Sequence, residues 1–142
     1  MVRWIAGIVL GLGMVVAGVA SAEPTVAVVV HPTRADDPSL AEIRRIYLRQ
    51  RRFWADGSPI VPIGQEASSA VRHAFDRLTL GRDPASLLRY WNQQYFDGTF
   101  PPATLASDEA VLRYVAARPN AIGYLDARVV DDTVRVVRHL VE

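Results

Sequence analysis

From residue 25 onward the apolar positions fall into alternating strand and helix patterns. Val26–Val30 is an unbroken, β-branched apolar run, the pattern of a strand covered on both faces. His31-Pro32 ends it, because proline brings no donor to a ladder. Asp36-Asp37-Pro38-Ser39 reads as loop, and Ser39 with Glu42 forms a capping box for a helix. Leu40, Ile43, Ile46 and Tyr47 share one face of that helix, with Glu42, Arg44, Arg45 and Arg49 outside it. Asp56-Gly57 marks a turn, and residues 58–63 read as a short strand bracketed by prolines. A second helix opens at Ser68 or Ser69, buries Val71, Phe75 and Leu78, and stops at Gly81. Asp83-Pro84 caps and starts a third helix that runs through Tyr90 and Trp91. Residues 97–102 are loop, and Ser107 caps a fourth helix carrying Val111, Tyr114 and Val115. Residues 121–125 and 134–137 read as the last strands. Strands alternating with helices predict an α/β domain, a mixed sheet flanked by helices.

The first 22 residues follow a different rule. Met1-Val2-Arg3 is a short positive start, residues 4–19 are apolar apart from glycines, and Ala20-Ser21-Ala22 places small residues where a signal peptidase reads. Residues 1–22 are therefore expected to be a cleavable signal peptide. The competing reading is a retained anchor, since roughly 17 to 25 apolar residues span a bilayer. The glycines and the A-x-A end favour cleavage. Residues 23–142 then form one domain of ordinary size, expected in the periplasm, with membrane contact limited to the uncleaved leader.

Composition narrows the function. The chain has no cysteine, which excludes disulfides, thiolate catalysis and a lipid-bearing N-terminal cysteine. Every basic residue other than histidine is arginine, so no single arginine stands out by type. Without Arg3 the arginines balance the acidic residues, and a balanced chain carries no electrostatic footprint for nucleic acid. Arg44, Arg45, Arg49, Arg51 and Arg52 form the densest charge cluster, either a solvated face or a dock for an acidic partner or anionic lipid. The pairs Phe53-Trp54, Tyr90-Trp91 and Tyr95-Phe96 fit core positions better than a ligand surface. His31, His73 and His139 have no metal-ligand spacing. Ser68 and Ser69 precede His73 by four or five residues, but no nucleophile-elbow glycines surround them. The expectation is a non-enzyme without cofactor or metal.

The start of the second helix is the strongest candidate site. A helix N-terminus presents unpaired N–H groups and the positive end of its dipole. Ser68 and Ser69 add hydroxyls there, and Arg72 lies one turn in. Two readings stand: a serine that merely caps the helix, or an anion seat.

Three segments in order carry a family resemblance. "LAEIRRIYLRQRRFW" (40–54), "PIGQEASSAVRHAF" (62–75) and "PNAIGY" (119–124) resemble the helix-and-tryptophan stretch, the "R…SGT-R…F" anion loop and the "PGAIGY" strand of phosphate ABC transporter substrate-binding proteins. Members of that family are two-lobed clamps, and this sequence resembles their second lobe. The resemblance places Ser69 on the family's serine, the backbones of Ala70 and Val71 on its glycine and threonine, and Gln65 on its arginine. It implies an anion site of Gln65, Ser68, Ser69, Ala70, Val71 and Arg72, weakened because Gln65 lacks the charge, Val71 lacks the hydroxyl and Glu66 adds a negative charge. Phosphate or another oxyanion is the implied ligand, and an ABC permease or a sensor of the envelope the implied partner. The alternative is a ligand-free module for protein–protein interaction or sensing. Two further substitutions bear on the backbone. Asn120 stands for a glycine and is expected to keep a left-handed turn, and Arg49 stands for the glycine after the first helix and is expected to weaken its C-cap.

Overall fold

The computed structural model describes Gly18 and residues 24–141; the predicted leader lies outside the described residues apart from Gly18. Five strands form one mixed sheet in the order β3-β2-β4-β1-β5. They are β1 (Val26–Val30), β2 (Val61–Gln65), β3 (Ala103–Leu105), β4 (Ala121–Asp126) and β5 (Arg135–Leu140). The helices are α1 (Leu40–Tyr47), α2 (Ala70–Phe75), α3 (Pro84–Phe96) and α4 (Asp108–Ala117), and α2 runs on into one π-helical turn, Asp76–Leu80.

β1 is central and runs antiparallel to both β4 and β5. All five of its residues are fully buried, as a continuous apolar run requires. Alternation splits them between two cores. Val26, Val28 and Val30 meet Ile43, Ile46, Phe75 and Trp54 on one face. Ala27 and Val29 meet Val111, Val115 and Leu125 on the other. The expected α/β architecture with a helix-flanked mixed sheet is therefore the one observed.

The seam between β2 and β4 is short. Their parallel register covers only Val61 with Ala121 and Pro62 with Ile122. Beyond it two tyrosine hydroxyls do what the ladder does not. Tyr47 donates to the carbonyl of Ile63 at 2.9 Å and lies 3.3 Å from that of Ile122, and the amide of Gln65 donates to the Tyr124 hydroxyl at 3.0 Å. Gly64 makes this approach feasible, because a Cβ there would stand 3.3 Å from the Tyr124 oxygen. Phe75 stacks on Tyr124 at 3.9 Å and meets Tyr47 edge-on at 4.7 Å, which locks both rings. Burial raises the pKa of Tyr47 well above the ordinary phenol value and pushes that of Tyr124 up to about 12.

Several local expectations need correction. Residues 58–60 are not strand: β2 starts at Val61, and Pro59 makes only an isolated bridge to Phe53. β3 lies in a stretch with no strand pattern of its own, and β5 runs to Leu140 rather than Val137. Leu40 is on the exposed side of α1, and Leu78 is half-buried. Asn120 does not adopt a left-handed angle. Its backbone carbonyl accepts from Trp54 Nε1 and from the Val61 amide, and its side chain accepts from Arg34.

Arg49 departs from expectation in the opposite sense. It takes a left-handed φ of 60°, and the cap of α1 forms in full. Gln50 N bonds the Arg45 carbonyl at 2.8 Å and Arg49 N that of Ile46 at 3.0 Å, the two bonds of a Schellman motif. The end of α3 makes the same motif with Gly98 at φ 75°, where glycine carries no Cβ penalty. For an arginine the left-handed angle costs about 1 to 2 kcal/mol.

Candidate functional site

β2 delivers the chain to the candidate loop, and Ser69, not Ser68, is the N-cap of α2. Its hydroxyl oxygen accepts from the Arg72 amide at 3.1 Å. Ser68 is exposed, with no side-chain hydrogen bond among the described residues. Ala70 and Val71 open the helix, where backbone N–H groups precede any intrahelical acceptor; the Val71 side chain is buried in the core.

Gln65 is only 3% exposed, and every polar group of its side chain is engaged. Its Nε2 donates to Asp108 Oδ1 at 2.7 Å and to the Tyr124 carbonyl at 3.1 Å, while its Oε1 accepts from the Ser69 hydroxyl at 2.7 Å. The Ser69 proton is thus spent inside the protein. Arg72 is committed as well: one terminal nitrogen donates to the Gln65 carbonyl at 3.0 Å, and its Nε lies 3.5 Å from Asp76 Oδ2. His73 Nε2 donates to the Ala67 carbonyl at 2.6 Å, tying the loop to the helix. The structure therefore gathers Gln65, Ser69 and Arg72 into one hydrogen-bonded cluster. Ser68 and the backbone of Ala70 and Val71 lie along its rim.

The loop borders an open cleft of about 870 Å³ whose lining includes Arg72, His73, Asp76, Leu87, Trp91 and Tyr124. Asp76 begins the π-helical turn, and burial raises its pKa above the ordinary carboxylate value despite the nearby Arg72 and His73. A raised carboxyl pKa means that ionisation opposes folding. Stability from this group is greatest below its folded pKa and declines as pH rises through it. Asp76→Asn removes that slope. Between about pH 4 and pH 7, the variant's stability relative to the parent should therefore move in the variant's favour, measured by urea denaturation at each pH. A difference that is flat or moves the other way would show that the Arg72 pair outweighs burial.

Sequence reasoning missed Asp76, Asp108 and Tyr124, whose roles depend on contacts across the fold. The carboxylates carried no motif; "IGY" was a signal for Tyr124, as strand but not as hydroxyl. The arginine cluster divides on inspection. Arg51 pairs with Glu42 at 2.7 Å, Arg44 and Arg45 project into solvent, and Arg49 and Arg52 turn to a separate pocket. The aromatic pairs divide too. Trp54 is buried and the Tyr90 hydroxyl bonds the Leu48 carbonyl, whereas Phe53, Tyr95 and Phe96 are largely exposed. Among the described residues no group of three or more His, Asp or Glu side chains is placed to hold a metal ion, and no helix is long and apolar enough to cross a membrane.

Taken together, the sheet order, the flanking helices and the loop at the start of α2 define one lobe of the periplasmic-binding-protein type. Solved phosphate-transport proteins share this fold. An ABC-type phosphate transport receptor from Vibrio cholerae superposes with a TM-score of 0.66 at 20% identity, over 81% of this chain and 46% of its own. A Clostridium perfringens protein assigned as a phosphate ABC transporter substrate-binding protein, solved with bound phosphate, gives 0.63 at 23% identity, over 81% of this chain and 44% of its own. PstS from Borrelia burgdorferi gives 0.61 at 12% identity, over 80% and 46%. The chain thus spans a little under half the length of these proteins. No protein-family model matches it, and no curated protein does.

Proposed function

We propose that residues 23–142 are a periplasmic solute-binding-type domain, exported by the signal peptide 1–22, in which the oxyanion seat of Gln65, Ser68, Ser69, Ala70, Val71 and Arg72 has weakened. The observation that carries this reading is the state of Gln65: its amide absorbs the Ser69 proton and presents no charge. What remains for an anion is the start of α2, the Ser68 hydroxyl and an arginine shared with Asp76. An exposed helix terminus contributes about 0.3 to 1 kcal/mol to an anion, whereas a millimolar constant already needs about 4. The similarity to phosphate-transport proteins supports phosphate as the anion to test.

Calorimetric titration of the monomer with phosphate should give binding no tighter than millimolar. The triple variant Gln65→Arg, Ala70→Gly, Val71→Thr should bind measurably better with its fold intact. Asp108 Oδ1 and the Tyr124 carbonyl, which now accept from Gln65, suit a guanidinium equally. Micromolar binding by the unmodified monomer would overturn the weakened-site reading.

A second reading is a module that binds another protein, such as a permease or sensor of the envelope. It is favoured by α3, which buries only Leu87 and leaves Leu88, Tyr95 and Phe96 exposed beside Phe100. A triple variant that still ignores phosphate makes this the better account.

A further inference from the structure

A second pocket, of about 280 Å³, lies away from the α2 loop, between the end of α1 and the segment that leads into β3. Its walls are apolar, from Ile60, Pro62, Phe100 and Pro101, and Arg49 and Arg52 stand at one side. Neither arginine has a carboxylate partner among the described residues. Arg52 spends Nε on the Arg49 carbonyl and one terminal nitrogen on the Thr99 hydroxyl at 2.8 Å. The Arg49 side chain donates to nothing, and its Nε is sealed from solvent without an acceptor.

Three features of Arg49 are individually unfavourable. Its backbone is left-handed where glycine would be relaxed, its buried N–H is unpaired, and a like charge stands beside it. An orphaned buried donor costs about 1 to 3 kcal/mol, more for a charged group. Burial and the Arg52 charge together hold the Arg49 guanidinium below its ordinary pKa. An anion beside the two guanidinium groups offsets the repulsion and supplies the acceptor that the protein lacks. Strain of this kind, kept where a simpler residue would serve, is a mark of binding sites.

We propose that the Arg49–Arg52 pocket binds a small organic carboxylate, its charged end between the two guanidinium groups and its apolar body against Ile60, Pro62, Phe100 and Pro101. The size agrees, since small-molecule sites begin near roughly 300 Å³. Apolar walls favour an organic acid over a bare inorganic oxyanion, which would leave them unfilled and would have to shed its hydration. The site shares no residue with the α2 loop, so it stands whether or not that loop holds phosphate.

The test is titration of the protein with benzoate and hexanoate, and with phosphate and sulfate as the inorganic arm, followed by calorimetry and by the shift in melting temperature. The organic acids should bind, the inorganic anions more weakly at this pocket. Arg49→Gln and Arg52→Gln should each lose about tenfold or more in affinity, the factor of a single charge-assisted bond. Arg44→Gln, on the exposed side of α1, should leave it unchanged. Arg49→Gly guards against misfolding: it gives the left-handed position its preferred residue, so the protein melts at least as high and yet no longer binds. Absence of benzoate and hexanoate binding at millimolar concentration, or equal binding by the parent and the Arg49 and Arg52 variants, overturns the proposal. Inorganic phosphate binding through Arg49 as tightly as the organic acids overturns the assignment of ligand class.

Discussion

Trp54→Ala should lower the melting temperature by about 10 °C or more. Trp54 is 2% exposed and packs in the core beneath α1. Its indole Nε1 donates to the Asn120 carbonyl at 3.0 Å, and the Arg34 guanidinium lies 4.8 Å above its ring. Truncating a buried tryptophan to alanine removes transfer free energy and leaves a cavity, together about 3 to 5 kcal/mol, against a total stability of about 5 to 15 for a domain of this kind. Trp54→Phe separates the parts, keeping most of the apolar area and losing the indole bond, and should cost about 1 to 2 kcal/mol. Thermal and urea unfolding of the three proteins checks both. A Trp54→Ala protein that melts with the parent would mean that the ring does not occupy the core.

The second large effect belongs to Arg34, a charged residue only 8% exposed. Its guanidinium donates twice to the Pro119 carbonyl, and also to Asp36, Asp56, Ser58 and the Asn120 side chain. It thereby ties the loop after β1 to the 56–58 turn and to the entry of β4. Removing one partner from a buried charge network costs about 3 to 5 kcal/mol; the 61% exposure of Asp56 puts Arg34→Met toward the lower end. Because Arg34 lies on Trp54, the two substitutions share a contact. The double variant should lose less than the sum of the singles by at least about 0.5 kcal/mol. Strict additivity would mean that the stacking contributes nothing.

Arg34 also illustrates which parts of the molecule were legible in the sequence. The two-sided burial of β1 was plain in five consecutive apolar residues, because a strand's surroundings are written in its own alternation. The caps at Ser39, Ser69, Asp83 and Ser107 were equally local, each needing only residues within one turn. Arg34 reaches partners more than eighty residues away, and its role existed only once β4 lay beside β1. Three-residue β3, flanked by Pro101-Pro102, has too few positions to show a period and forms because β2 offers a free parallel edge. At the candidate site the lost charge at Gln65 was readable. That its amide would be fully occupied was not, since the acceptors come from α4 and β4. Arg49 resembled a defect in a helix end, whereas the cap held and the strain was retained.

The two-pair seam between β2 and β4 has a bearing on how the domain breathes. The antiparallel part of the sheet, β4-β1-β5, is continuous, while β2 and β3 are joined to it by one short ladder and the two tyrosine hydroxyls. Regions of a protein open with their own free energies, set by the bonds that must break. The β2–β3 portion carries the α2 loop, so the protection of that loop against amide exchange is governed by the seam rather than by global unfolding. Tyr47 and Tyr124 then act as the latches of a small, separately opening unit, and the amide of Gln65 is the place where its opening would first be seen.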